Sequence, residues 1–395
     1  MILSQIQCVR LYPLAIPLRR KFSHAAAERH TADPLVAAVE LANGIVGYGE
    51  TLPRPYVTGE TVTSALDDIP THLMPGMETW HPESFAEALE HIDALPERAP
   101  DGRLILAARA AIELALLDAY SRHFRRAIDE AAGWLGLPGF GTPGSTKRVR
   151  FSGVLSASSP AKLRSSVRKM RWFGLCDFKL KVGVEQDDAC VRTVVDVLGR
   201  SLGHKTTLRL DANGSWSVNE AIDKLGAWDS LPIACVEQPL AKGEEHGVHQ
   251  IHAASRFLIM HDESLLTYAA AEQMIEGGVM DALNIRISKN GGLLPAMRLA
   301  GLARQRGLLF QLGCMVGETS ILSAAGRRFL EYVPGVTFAE GSYGRFLLDG
   351  DVTRRSVQFG YGGKSKPLSG FGWGIDVQES KLRRYLADEM IELRL

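Results

Sequence analysis

Five charged residues recur where successive apolar runs stop. Lys181 closes FKLK, Asp211 closes LRLD, Glu237 closes CVE, Asp262 closes IMHD, and Lys289 follows NIRIS. Neighbours in this series stand about 25 to 30 residues apart, the length of one strand-loop-helix-loop unit in an eightfold β/α barrel. Each charge then falls once per unit at a C-terminal strand end, the face on which such barrels carry their chemistry. Three carboxylates at one mouth repel each other and call for a cation. An all-oxygen donor set suits Mg²⁺, or Mn²⁺ in its place, rather than zinc. Strand alternation turns Lys179 and Lys181 to the same side, with Phe178, Leu180 and Val182 on the other. Two ammonium groups in a barrel mouth cost several kcal/mol unless carboxylates or a ligand compensate them.

Alone, a lysine pair at a strand end is ordinarily solvated, and an Asp before Asn-Gly is ordinarily a turn cap. The shared spacing is what sets those readings aside; a metal-free salt-bridge network remains the alternative for the three carboxylates. Asp211 shares a side with Arg209 and Asn213. Of the adjacent pair Asp262 and Glu263, only Asp262 has the parity of Met260, so it is assigned to the metal and Glu263 to a lysine. Lys289 lies one step off the parity of Asn284, Arg286 and Ser288, so it must reach back from the loop before Gly291-Gly292. Cys314 ends the seventh strand and lines the cavity. Glu318, in MVGETS, reads as the N-terminal residue of the next helix. A cation between two opposed lysines suits removal of the proton next to a carboxylate, because metal and ammonium stabilise the enediolate charge as it develops. The base lysine must be neutral, which burial near other cations favours.

The elements that must position these groups follow from pattern. Strands are predicted at 149–155, 178–183, 207–213, 234–238, 258–262, 282–288, 308–315 and 336–341. Helical runs separate them, among them 160–172, 219–228 and 293–306. That alternation predicts an α/β fold with a closed parallel sheet. Ahead of it, Leu35–Leu41 and 45–50 form a hairpin about Asn43-Gly44, flanked by polar loops at 19–34 and 52–60. Helices are predicted at 61–74, 81–95 and 104–131. The chain divides into an α+β module at 1–146, a barrel at 147–361, and a tail at 362–395 that returns to the first module. Composition agrees with this: 395 residues, 46% hydrophobic and 23% charged, fit one large domain and a smaller one. Lys+Arg and Asp+Glu both number 45, which points away from nucleic acid and anionic membrane surfaces. Five scattered cysteines without metal spacing read as reduced thiols in a cytoplasmic protein. No apolar run approaches the roughly 18 residues of a membrane span.

The set KLKVG, DANG, VEQP, DES and ISKNGG, with AARAAIELALLDA and GYGE before it, resembles the muconate lactonizing enzyme subgroup of the enolase superfamily. The resemblance implies a modified TIM barrel, (β/α)7β, under an N-terminal α+β capping domain completed by the C-terminal tail. It implies Asp211, Glu237 and Asp262 as Mg²⁺ ligands, Lys181 and Lys289 as an acid/base pair on opposite substrate faces, and Lys179 as the cation that holds the substrate carboxylate. Residues 21–29 and 53–58, Tyr56 among them, would close the site and read a small-molecule carboxylate. Asn213, Glu263, Arg286, Cys314 and Glu318 would support or contact it. Relatives are commonly symmetric homo-oligomers. Departures are GCMVGETS, with an extra glycine, and FAEGSYG, where dipeptide epimerases carry Asp-x-Asp. The form of ISKNGG favours a cycloisomerase-like reaction first. Racemisation or epimerisation of an N-acyl amino acid or dipeptide, or o-succinylbenzoate synthase-like dehydration, comes next; a non-catalytic anion-binding barrel is the alternative of another class.

Overall fold

Alternating apolar residues build the first sheet. The chain opens with β1 (Ile6–Pro13), β2 (Ile16–His24), β3 (Ala27–Ala32), β4 (Leu35–Leu41) and β5 (Val46–Thr51), followed by α1 (Val62–Asp68), α2 (Phe85–Asp93), α3 (Leu106–Phe124) and α4 (Asp129–Trp134). The structure is a computed structural model and describes residues 3–24, 27–141, 150–156 and 159–395, without the side chains of 20–29. The boundary expected at 146 lies outside the described residues.

The hairpin β4–β5 pairs antiparallel as expected, Leu35 with Thr51 and Glu40 with Val46. Its glycines allow α3 to lie directly on the sheet. A Cβ on Gly49 would stand 2.0 Å from the Ala111 carbonyl oxygen and 2.6 Å from the Ala115 amide nitrogen. Both neighbours are helix backbone and cannot swing aside. Gly49→Ala is therefore expected to destabilise the protein by about 3 kcal/mol or more, read as a fall in urea midpoint with unchanged slope.

The barrel strands are β6 (Gly153–Ser156), β7 (Asp177–Lys181), β8 (Thr207–Asp211), β9 (Cys235–Glu237), β10 (Ile259–His261), β11 (Ala282–Ile285), β12 (Leu309–Leu312) and β13 (Phe338–Ala339). They are parallel and pair in chain order. A parallel bridge between Phe151 and Ala339 closes the ring, with the Ser152 amide donating to Ala339 O at 2.8 Å. The connecting helices are α5 (Pro160–Trp172), α6 (Asp187–Leu198), α7 (Val218–Ala227), α8 (Val248–Ala254), α9 (Tyr268–Glu276), α10 (Leu293–Gln305) and α11 (Ser320–Tyr332). Then come α12 (Gly344–Leu347), α13 (Glu379–Arg384) and β14 (Ile391–Arg394). β14 pairs antiparallel with β1, so the end of the chain completes the first sheet. Among the described residues no helix is long and apolar enough to cross a membrane.

Three expectations differ locally. The polar stretch 19–34 is not an irregular loop: β2 and β3 pair there as a separate ribbon. The long helix stops at Phe124 because Arg125 takes a left-handed cap, φ 53°, before α4 begins. The helix expected to reach 74 ends at Asp68 and continues as one wider turn, Ile69–Leu73, with Pro70 at its start.

Two buried glutamates of the capping domain dock it on the barrel. Glu50 accepts from the Thr319 and Leu322 amides at 2.7 and 2.8 Å, at the start of α11. Glu113 accepts from the Leu293 and Leu294 amides at 3.0 and 2.8 Å, at the start of α10. Orphan amides at a helix start are satisfied in this way. A Cβ at Gly292, φ 129°, would fall 2.4 Å from the Glu113 carboxyl carbon, so the second glycine of ISKNGG makes room for the contact.

Candidate active site

Register aligns the charged strand ends. Lys181 is the Cα partner of Asp211 and Asp211 of Glu237, each the last residue of its strand. Asp262 follows β10 directly, and all three carboxylates are at most 1% exposed. Lys179 is also buried and sits among them. Its Nζ lies 3.2 Å from Asp211 Oδ2, 3.2 Å from Glu237 Oε1 and 2.9 Å from Glu340 Oε2. Burial opposes its charge, but Glu237, Glu340 and Asp211 outweigh burial and hold the ammonium well above its ordinary range.

Glu237 is the most crowded member. It accepts from Asn284 Nδ2 at 2.8 Å and Gln311 Nε2 at 3.2 Å besides Lys179. Burial, then the neighbouring carboxylates against the pull of Lys179, push its carboxyl up to about 8. Asp262 is bound by the Arg286 guanidinium and by Lys289 Nζ at 3.0 Å. Burial would raise its carboxyl; Arg286 and Lys289 bring it below the usual range.

Lys289 reaches back as its parity requires, donating to Asn284 O at 2.9 Å and Asp262 O at 2.6 Å. Complete burial lowers its ammonium below the ordinary range despite Asp262. Ser288, beside it, is fixed by the cap: its Oγ lies 2.8 Å from Thr51 Oγ1 and accepts from the Leu52 amide at 3.0 Å. Lys181 donates to Asn213 Oδ1 at 3.0 Å, and Asn213 Nδ2 donates to Glu263 Oε1 at 3.2 Å. Glu263 thus meets the expected lysine through an amide. Burial and the charges of Asp262 and Asp211 push its carboxyl up to about 7.

The remaining expected residues lie on the loops. Cys314 is two residues past β12 and half-buried, its thiol held protonated chiefly by burial. Glu318 is not the first residue of α11: Thr319 caps that helix, and Glu318 turns back to accept from the Met315 amide at 2.6 Å. Burial pushes its carboxyl up to about 8. Tyr56 is 41% exposed on the loop after β5. The side chains of 21–29, the other expected capping loop, lie outside the described residues.

Three contributors escaped the sequence reading. Glu340, past the two-residue β13, receives Lys179 and also Arg209 at 2.8 Å. Arg209 is fully buried, with its guanidinium 4.2 Å from the Phe338 ring centre. Gln238, at φ 39°, accepts from the Asp262 amide at 2.9 Å and donates to Leu240 O, which fixes the β9 and β10 ends together.

Whether a hard cation fits depends on the donors. Among the described residues no three acidic, His or Cys side chains are grouped closely enough to hold an ion as they stand. Lys179 and Arg286 lie between the carboxylates. Yet every donor is oxygen, Glu263 Oε2 is buried without a hydrogen bond, and burial with neighbouring carboxylates pushes Glu237 and Glu263 above the usual carboxylate range. A buried, oxygen-only donor set fits Mg²⁺. Asp211, Glu237 and Asp262 would hold it.

The profile described as Enolase C-terminal domain-like matches residues 162–381. The chain belongs to that family. A hydrophobic dipeptide epimerase of Enterococcus faecalis is 27% identical over 85% of this chain and 90% of its own. A chloromuconate cycloisomerase of Cupriavidus pinatubonensis is 24% identical over 96% of this chain and 99% of its own. The crystal structure of N-succinyl Arg/Lys racemase from Bacillus cereus superposes with TM-score 0.85 at 23% identity, covering 99% of this chain and 100% of that one. The resemblance of the strand-end motifs to the enolase superfamily is borne out, and the modified barrel with it.

Proposed function

We propose that this protein is a Mg²⁺-dependent isomerase that removes the proton α to a carboxylate and returns one to the same carbon. The observation that carries the reading is the opposition of two lysines. Lys181 ends β7 and Lys289 follows β11, four strands apart in a ring of eight, so they face each other across the carboxylate cluster. One amine can take a proton from one face of a planar intermediate while the other ammonium supplies a proton to the opposite face. Lys179, held charged, stabilises negative charge on the substrate carboxylate. The bound cation supplies Lewis-acid stabilisation of the same charge.

The preferred substrate is an N-acylated amino acid. A free substrate amine needs an unengaged carboxylate, and Glu340, at the end of the eighth strand, is already engaged by Lys179 and Arg209. The N-succinyl Arg/Lys racemase among the relatives supports an N-acylated substrate. Cycloisomerisation stands second, favoured by ISKNGG and by the extent over which the chloromuconate cycloisomerase aligns. The test is incubation with N-succinyl amino acids and free dipeptides in D₂O. Deuterium is expected at the α-carbon of N-succinyl substrates, abolished by EDTA and restored by Mg²⁺. Absence of exchange across the panel sinks the reading.

A further inference from the structure

A groove of about 1520 Å³ runs between α12, the segment 354–376 and the ends of α3 and α5. No residue of the candidate site lines it. Among the described residues, seven lysine and arginine side chains line it against one carboxylate, Asp376. That carboxylate is taken by Arg354 at 2.8 Å, and Arg122 is held by Asp118 at 2.9 Å. Arg345, Arg355, Lys364 and Lys366 are exposed and have no carboxylate partner among the described residues. The chain as a whole has zero net charge, so this excess is local.

The seventh cation, Arg327, is only 4% exposed. Its hydrogen bonds go to neutral oxygens: Lys366 O at 2.7 Å, Ser342 Oγ at 3.4 Å and Gln358 O at 3.4 Å. Its Nε has no partner, and neither has the buried Oε1 of Gln358, which lines the same groove. Burial pulls the guanidinium down to about 10, opposed only by Glu331. Glu331 is itself engaged by Arg328 at 3.3 Å and by the Leu368 amide at 2.8 Å. A buried cation short of counter-charge, in the lining of an open groove, calls for an anion there.

Rings stand among the cations. Phe346, Tyr361 and Phe371 are 48, 68 and 41% exposed. Tyr361 is seated rather than loose: its ring lies 5.9 Å from that of Phe173, and the Gly362 amide donates to Phe173 O at 2.8 Å. A Cβ at Gly174, φ 82°, would stand 2.8 Å from the tyrosine ring, so the glycine just past α5 makes room for it. A ring held in water by such packing offers its face to another planar group.

We propose that the groove binds a nucleoside polyphosphate, its base on the exposed rings and its phosphates on the arginines and lysines. Arginine matches phosphate oxygens in pairs, and aromatic faces accept any base. An anion without a ring would leave the aromatic side chains in water, and a ring without phosphates would leave the cations uncompensated. The volume exceeds the roughly 300–1,000 Å³ of small-molecule pockets, room for a base and an extended phosphate chain together. Nothing in the barrel mouth takes part, so this binding stands or falls apart from the proposed reaction.

Calorimetric titration of the full-length chain with ATP, adenosine, inorganic tripolyphosphate and an eight-nucleotide DNA strand tests it. ATP is expected to bind saturably at low ionic strength and to weaken as salt screens the contact. Adenosine and tripolyphosphate are each expected to bind about 10-fold or more weakly than ATP. Tyr361→Ser is expected to weaken ATP about 10-fold and leave tripolyphosphate unchanged. Arg355→Gln with Lys364→Gln is expected to weaken both about 10-fold or more. These side chains are exposed, so the variants should keep the wild-type urea midpoint. No saturable ATP binding to the wild type overturns the proposal, and so does either variant binding ATP like the wild type. Tripolyphosphate binding as tightly as ATP overturns it in favour of a plain anion site, and the DNA strand binding more tightly than ATP overturns it in favour of a nucleic-acid surface.

Discussion

Lys289→Ala is expected to abolish α-deuterium incorporation from one enantiomer of the substrate, a loss of roughly 10²- to 10⁴-fold. The effect is large because Lys289 has no substitute. It is fully buried, burial lowers its ammonium, and no other amine reaches that side of the Asp262 carboxylate among the described residues. Lys181→Ala is expected to lose exchange from the other enantiomer, since Lys181 stands four strands away. The two variants should therefore have opposite stereochemical defects, a result that a general loss of structure does not give. Lys289→Arg separates charge from proton transfer: arginine keeps the positive group beside Asp262 but is too weak an acid to cycle. It should fold and bind, and fail to exchange. Chirally resolved substrates followed by NMR in D₂O give the answer. Wild-type exchange from both enantiomers in either alanine variant would remove that lysine from the mechanism.

The strand-end charges were legible because each breaks a buried apolar run at a repeated spacing; a carboxylate after CV in CVE has few bland explanations. Glu340 was not legible for the converse reason. It follows a two-residue strand and precedes Gly-Ser, so in sequence it reads as a loop acid. Only closure of β13 onto the first strand, through Ala339 and Phe151, brings it to Lys179. Arg209 shares the parity of Asp211 in the sequence, but its partner lies 131 residues away. The β2–β3 ribbon was missed because neither run shows the alternation that burial on one face imposes. The break after Phe124 carries no glycine or proline signal: an arginine takes the left-handed cap. Function is legible to the same depth. The chemistry resides in groups that must be buried and paired, whereas substrate choice depends on loops that place few constraints on sequence pattern.

Lys179→Met is expected to cost about 3–5 kcal/mol of folding stability, the scale for leaving a buried ionic partner uncompensated. Lys179 faces three carboxylates within 3.2 Å, and its removal leaves Asp211 and Glu237 without their nearest cation. Arg286, 3.9 Å from Glu237, is already bound to Asp262, and Arg209 to Glu340. The variant therefore separates two roles for the carboxylates. If they form a structural salt-bridge network, added Mg²⁺ should leave the stability lost in Lys179→Met unrestored. If they are built for a cation, added Mg²⁺ should raise the urea midpoint of Lys179→Met more than that of the wild type. A ligand that binds the folded state alone adds about 2.7 kcal/mol at a hundred times its dissociation constant, and the variant offers it carboxylates that no ammonium competes for. No Mg²⁺-dependent midpoint shift in either protein would count against Asp211 and Glu237 as metal ligands, whatever the activity of the wild type. Calcium at the same concentration is the control, because the larger ion prefers more ligands at longer distances than three side chains and a substrate supply.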